Sequence, residues 1–149
     1  MAANETTTKF KVDISDLKKN IQEANRQIRL ANAEFKAASA GLDNWAKSAD
    51  GVSAKITQTQ KVLASQKTIL ADYEKQLELI VREYGANSKE ADEMRIKIEN
   101  QKAAVAKSEK ALSDYQKQLV QLKEEEQSAA DAAEKENTEL GKLRKTIGG

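Results

Sequence analysis

The feature that most constrains this chain is a heptad repeat of apolar residues that runs from Ile14 to Ile147. Steps of seven from Ile14 reach 20 positions, and 19 of them are apolar. Steps of seven from Leu17 reach 19 further positions, of which 13 are apolar. The spacing alternates between three and four residues, as the a and d positions of a left-handed coiled coil do. We call these 39 positions the seam, and they predict an all-α fold of long amphipathic helices.

The composition agrees with long helices and excludes several classes of site. The 149 residues include no proline, which breaks helix interiors, and only 4% are aromatic. The chain has no cysteine and no histidine, so the commonest nucleophile, base and metal ligands are missing. The net charge of +1 gives no reason to expect a polyanionic partner. We therefore predict a protein that is not an enzyme, with no catalytic, cofactor-binding or metal-binding residue and no cofactor.

Local signals divide the seam into separate helices. Asp13 is placed to cap a helix beginning at Ile14, and "SAGLDNW" contains a helix-stop glycine, Gly41, followed by a new cap, Asp43. "SADGVS" contains a turn signal, Asp50-Gly51, and "REYGANSKEA" contains a third signal at "GANS". The predicted helices span roughly residues 14–40, 53–84 and 88–140, with a short helical turn around Trp45.

These signals also predict how the chain is organised. The four segments are an irregular N-terminus at 1–12 (with a short strand at "KFKV"), an N-terminal helical segment at 13–52, a coiled-coil hairpin at 53–140, and a truncated C-terminal end at 141–149.

The sequence leaves two arrangements open for the stretch around "GANS". If the chain turns back at residues 85–88, the tightest antiparallel hairpin pairs residues whose numbers sum to 171, so Leu77 faces Met94 and Gln66 faces Val105. Val62 and Ile69 then widen the seam where a third helix can pack. The alternative is one extended, rod-like coiled coil, because a single glycine inside a helix costs only about 1 kcal/mol.

Other features give weaker signals about binding and assembly. The tyrosines (73, 84 and 115) and Trp45 occupy seam positions, so we interpret them as packing residues. Arg26, Arg29 and Lys36 form a thin basic stripe that Glu34 interrupts, which does not favour nucleic-acid binding. Self-association through the seam is expected, although the oligomeric state is open. In a parallel dimer the favourable charge pairs are few, such as Glu139 with Arg144 of the other copy.

Several segments resemble the N-terminal region of phage tail tape measure proteins, most closely those of tailed phages and prophages of Gram-positive bacteria. These segments are the start "FKVDIS", the first helix with "EFKAA", the stretch "SADGVSAKI" leading into a second helix, and "REYGANSKEADEM" before another heptad helix. The resemblance covers most of the chain. Its motifs are helical and low in complexity, and are thus less specific than catalytic signatures.

The resemblance implies a structural role in the virion. Tape measure proteins are elongated helical molecules that occupy the lumen of the tail tube and set tail length during assembly in the bacterial cytoplasm. Their partners are tail tube proteins, tail-tip proteins and assembly chaperones. Because such proteins are usually much longer, the resemblance implies an N-terminal piece whose membrane contacts, if any, are made by other parts. Two alternatives are a generic bacterial coiled-coil spacer or scaffold, and an arm of an enzyme or nucleic-acid-handling protein whose catalytic domain follows residue 149.

Overall fold

The protein is all-α, as the heptad repeat predicts. A computed structural model describes residues 13–148, so the predicted irregular N-terminus and its strand lie outside the described residues. Within the described chain there are no strands, and the elements are α1 (Ser15–Ser39), a 3₁₀ helix (Trp45–Lys47), α2 (Ala49–Tyr84) and α3 (Lys89–Gly148). The extended single rod is excluded, because α2 packs against both α1 and α3.

The first helix begins and ends close to its predicted limits, but its N-cap is Ile14, which makes no side-chain cap hydrogen bond, rather than the predicted Asp13. The Asp13 carboxylate accepts a hydrogen bond from the backbone N–H of Ser15 at 2.9 Å, and Ser15 contacts lower the pKa of Asp13. The helix ends at Ser39 without a left-handed glycine, since Gly41 does not have a positive φ. The next cap is Asn44, whose side chain accepts from the N–H of Ala46 at 3.1 Å, so the predicted Asp43 cap is wrong.

The second turn signal, Asp50-Gly51, is not a turn. Both residues lie in the first turn of α2, which begins at Ala49 rather than near residue 53. The helix is capped by Ser48, whose hydroxyl accepts a hydrogen bond from the backbone N–H of Gly51 at 2.9 Å. A Cβ on Gly51 would lie 2.2 Å from the carbonyl oxygen of Trp45. The glycine is therefore required by a close approach of two backbone segments.

The turn predicted at residues 85–88 is confirmed, and the chain folds back there. Gly85 has a φ of 97° and donates its N–H to the carbonyl of Val81 at 2.8 Å, which ends α2. Glycine adopts this left-handed conformation without the steric cost that a side chain brings. The hydroxyl of Ser88 donates to the carbonyl of Gly85 at 2.8 Å and accepts from the N–H of Ala91 at 3.1 Å, which caps α3.

The seams of α2 and α3 face each other in the hairpin. Near the turn, Ile80, Ala91, Met94 and Ile98 form a buried cluster, and partly buried residues that include Leu77 pack against it. Farther from the turn, the seam contains polar residues that bond to one another.

The polar contacts fix the register of the hairpin. The amide Nε2 of Gln101 donates to the backbone carbonyl of Gln66 at 2.9 Å. The hydroxyl of Ser108 donates to Oε1 of Gln66 at 2.6 Å. Gln66 therefore lies between Gln101 and Ser108, at the level of Val105, as the predicted pairing requires.

The third helix of the body, α1, packs on a different face of α2. Asn32 accepts a side-chain hydrogen bond from Gln58 at 2.8 Å, and Glu34 pairs with Lys61 at 3.1 Å. The α2 face outside the main seam has buried positions at helical spacing, namely Ile69, Asp72 and Gln76, which are 4–6% exposed. The prediction that a helix packs near Ile69 and Val62 agrees with this placement of α1. The polar character of the stripe hides it from a search for apolar repeats.

The last part of α3 has no neighbouring helix. In the 171 pairing, the first residue of α2, Ala49, is level with Leu122, and every residue from 123 to 147 is exposed. The helix nevertheless continues to Gly148, past the predicted end near residue 140. At 1.5 Å per residue, the 60 residues of α3 span about 90 Å. Roughly the last 37 Å therefore project beyond the three-helix body.

Candidate functional site

Sequence analysis predicts no catalytic, cofactor or metal residue, and that remains a prediction. In residues 13–148, no three acidic side chains are grouped so that they could hold a metal ion. The depressions on this part of the molecule include an open cleft between α1 and α2 and a groove along α2 that Asn32 and Ala104 line from either side. The features with the clearest geometry are an aromatic cluster in the body and the uncovered end of α3.

The aromatic cluster joins all three helices and the 3₁₀ helix. The ring of Trp45 meets Phe35 of α1 edge-to-face, with centroids 5.3 Å apart at 89°. On its other side Trp45 meets Tyr115 of α3, with centroids 5.9 Å apart at 69°. Edge-to-face geometry is favourable for aromatic pairs. The amide of Gln118 also donates to the backbone carbonyl of Ala46 at 2.6 Å, which fixes the 3₁₀ helix to α3.

A lysine completes this cluster from α2. The Nζ atom of Lys55 lies 4.6 Å from the centroid of Phe35 and 5.5 Å from that of Trp45. Such cation–π contacts are favourable, while partial burial lowers the pKa of Lys55. We interpret the cluster as a structural junction, since its aromatic faces are used within the chain. The interpretation of Trp45 and Tyr115 as packing residues agrees with these contacts.

The other predicted packing residues and the basic stripe are placed differently. Tyr73 packs against the buried cluster near the turn, whereas Tyr84 is 40% exposed at the end of α2. Arg26 pairs with Glu23 on its own helix at 3.0 Å. Arg29 and Lys36 are exposed on α1. The stripe and the aromatic rings therefore do not form a common surface.

The uncovered end of α3 is the candidate functional surface. We define the distal seam as the seam positions of α3 beyond Leu122. Its residues are Glu126, Ala129, Ala133, Glu136, Leu140, Leu143 and Ile147. Leu140, Leu143 and Ile147 are 46%, 55% and 82% exposed. Because the same seam is buried against α2 earlier in α3, this is an unpartnered continuation of an existing helix–helix interface.

Charge is distributed unevenly along this part of α3. Residues 124–139 contain seven carboxylates and one lysine, and the next residues include Lys142, Arg144 and Lys145. The described ion pairs of α3 end at Lys110 with Asp114, so none of the carboxylates beyond that pair is in an ion pair. The exposed end of α3 thus presents apolar seam residues, interrupted by Glu126 and Glu136, between strongly charged flanks.

Membrane and family comparisons add limits. None of the helices in residues 13–148 combines the length and the apolar character of a membrane span. Comparisons with protein-family models, with curated proteins and with solved structures give no match. The resemblance to tape measure proteins therefore rests on the quoted sequence segments alone.

Proposed function

We propose that this chain is a structural component of a phage tail, the N-terminal part of a tape measure protein. In this role it lies in the lumen of the tail tube of the virion, after assembly in the bacterial cytoplasm, and contributes to the setting of tail length. Its partners are other copies of itself and the tube, tip and chaperone proteins of the tail. The proposal needs no enzymatic step and no cofactor.

One structural observation carries this proposal together with the sequence resemblance. The 60-residue α3 extends its seam well past the hairpin and leaves it uncovered. A helix that serves only to complete a three-helix body has no need of this projection. A helix that belongs to a longer helical assembly does need it, because coiled-coil strands associate through such seams.

The body and the projection have different tasks in the proposed role. The body is held by the hairpin turn, the buried cluster and the aromatic junction, so it is a folded unit at one end. The projection supplies length at about 1.5 Å per residue. A ruler needs this property because its length must follow from residue number.

The test is to change the length of the projection in the phage that carries the gene. Duplicating residues 123–143 adds three heptads, keeps the seam in phase and adds about 32 Å of helix. We expect tails longer by about that amount in electron micrographs and the protein in purified tails. A matched control, E124Q/E134Q, changes charge but no length and should leave tail length unaltered.

Two outcomes would overturn the proposal. The first is absence of the protein from purified tails by mass spectrometry. The second is an unchanged tail length in the duplication variant when the variant is present in tails. Recovery of the protein in a cell-envelope assembly instead would favour the bacterial spacer.

A further inference from the structure

The first helix contributes little buried apolar surface to the body. Its buried residues are Ala24 and Ala31, whose side chains are single methyl groups. Its leucine, isoleucine and phenylalanine seam residues are only partly buried, and Leu30 is 52% exposed. The hairpin buries larger side chains, such as Ile80 and Met94. Because apolar stabilisation scales with buried area, α1 is held less strongly than α2 and α3 hold each other.

The interface of α1 with α2 also contains buried polar atoms without partners. Within residues 13–148, the buried side-chain atoms that make no hydrogen bond are Oε1 of Gln58 and Oδ2 of Asp72. The two residues are two heptads apart and so share one face of α2, the face that α1 covers. Asp72 is only 6% exposed. A buried polar atom without a partner opposes folding, because it has lost its hydration and gained no hydrogen bond.

The polar residues between α2 and α3 are bonded instead. The backbone carbonyl of Gln66 accepts from the amide of Gln101 at 2.9 Å. Its side-chain Oε1 accepts from the hydroxyl of Ser108 at 2.6 Å. The unbonded atoms are thus concentrated at the interface that also buries the smaller apolar side chains. Both observations mark the contact of α1 with α2 as the weaker interface of the body.

The polar links between these two helices are made near the C-terminal end of α1. They join Asn32 to Gln58 and Glu34 to Lys61. The 25 residues of α1 span about 37 Å, whereas the nine residues that connect α1 to α2 reach at most about 30 Å. The two helices therefore run antiparallel. Asp72, two heptads beyond Gln58, is level with the N-terminal half of α1, so the half without these links lies over the unbonded carboxylate oxygen.

The 3₁₀ helix is held to the hairpin by contacts that do not involve α1. The amide of Gln118 donates to the backbone carbonyl of Ala46 at 2.6 Å, and the rings of Trp45 and Tyr115 meet edge-to-face. Residues 40–44 connect this fixed element to α1. The connection is therefore placed to act as a hinge when α1 moves.

We propose that α1 is a strap that opens from its N-terminal end while the hairpin and the 3₁₀ helix stay folded. Opening returns the carboxylate of Asp72 to water, which offsets part of the lost packing. It uncovers Val62 and Ile69 on α2, and Ile21 and Ile28 on α1. A partner that binds either surface would shift the population to the open state. The inference concerns the body alone and does not depend on the proposed function.

Hydrogen exchange of the backbone amides distinguishes this opening from unfolding of the whole body. Helices in proteins draw most of their stability from packing, so the released α1 frays and its amides exchange. The amides of α2 stay protected in the open state, because the hairpin persists. A strap that opens by itself thus gives α1 lower protection than α2, whereas a body that unfolds only as one unit gives both helices the same protection.

The experiment is hydrogen exchange of the full chain at neutral pH, read by mass spectrometry. We compare residues 22–34 of α1 with residues 60–76 of α2, which avoids the frayed helix ends. We expect protection factors in α1 to be at least about tenfold lower than those in α2.

Variants at Asp72 test the cause of the opening. Asp72→Leu removes the unbonded carboxylate and adds apolar surface, so it should raise the protection of α1 at least about fivefold. Asp72→Asn keeps the shape of the side chain and should act in the same direction, which guards against overpacking by leucine. The matched control, Glu74→Leu, makes the same charge change at an exposed position of α2 and should leave the protection of α1 unaltered. Circular dichroism checks that each variant keeps its helix content.

Two results would overturn the inference. Equal protection of α1 and α2 in the wild-type chain shows that α1 does not open by itself. Unaltered or lower protection of α1 in both Asp72 variants, at wild-type helix content, shows that the buried carboxylate does not loosen the strap. Neither result bears on whether the protein is found in tails, so failure here is distinguishable from failure of the proposed function.

Discussion

Replacement of Gly51 by alanine should destabilise the protein although it lies inside a helix. An added Cβ would lie 2.2 Å from the carbonyl oxygen and 2.7 Å from the Cα of Trp45. These are backbone atoms, so the clash cannot be relieved by rotation of a side chain. The 3₁₀ helix would have to move away from α2, and its contacts with Phe35 and Tyr115 would be disturbed.

The magnitude follows from two opposing effects. Alanine favours a helix over glycine by about 1 kcal/mol, which would stabilise α2. Overpacking at a close contact costs about 1–3 kcal/mol, and a rigid backbone neighbour places Gly51 at the upper end of that range. We therefore expect the free energy of unfolding to fall by about 2 kcal/mol.

The assay is urea denaturation followed by both circular dichroism and the fluorescence of Trp45, the single tryptophan of the chain. A matched control is Gly141→Ala in the exposed part of α3, where an added Cβ meets nothing within 4 Å. The control should raise helix content and leave the fluorescence unaltered. If Gly51→Ala also stabilises the protein and leaves the fluorescence unaltered, the close approach of the 3₁₀ helix to α2 is refuted.

Three further predictions test the hairpin, the turn and the first helix. Leu77→Asp should lower the free energy of unfolding by about 3–4 kcal/mol in urea denaturation, because it places a charge against the buried cluster. Leu140→Asp, at an exposed position, should lower it by less than about 0.5 kcal/mol. Equal effects of the two substitutions would contradict the difference in burial. Ser88→Ala removes the cap contact with the N–H of Ala91 and should cost about 1 kcal/mol in the same assay, so an unaltered midpoint would show that the cap is not needed. Contacts to Ser15 lower the pKa of Asp13 in the folded chain, so Asp13→Asn should destabilise α1 at neutral pH. The difference in helix content between the variant and the wild-type chain should disappear as the pH falls through that lowered pKa. A difference that does not depend on pH would contradict this.

Much of the hairpin could be predicted from the sequence because its determinants are local or periodic. The turn depends on Gly85 and Ser88, which are three residues apart in the chain, and the register follows from the heptad phase. Gln66, between Gln101 and Ser108, lies where that phase requires. The sequence therefore predicts the fold class and, if the chain turns back, the register of α2 against α3, while the choice between the hairpin and the rod required the structure.

Other features depend on contacts that a local pattern does not encode. Asp50-Gly51 has the composition of a turn, but a glycine is needed at position 51 because the backbone of Trp45 in the preceding 3₁₀ helix lies against it. The α2 face that packs on α1 includes the buried polar residues Asp72 and Gln76, so Ile69 is only a partial apolar signal for it.

The sequence predicts the heptad positions of the distal seam but does not predict that they are uncovered. The heptad positions of Leu140 and Leu143 are readable there, yet the repeat alone does not say that α2 ends too early to cover them. Burial in the three-dimensional structure distinguishes the distal seam from the seam inside the hairpin.

The central claim, that the chain folds back at Gly85, is tested most directly by one distance. Spin labels at the exposed residues Thr57 and Ser113 report it in the full chain, without competing cysteines. The hairpin predicts a separation near one helix–helix spacing, about 10 Å between axes, plus the reach of the labels. A separation of about 84 Å, the helical rise between these residues, would contradict the hairpin and restore the continuous rod.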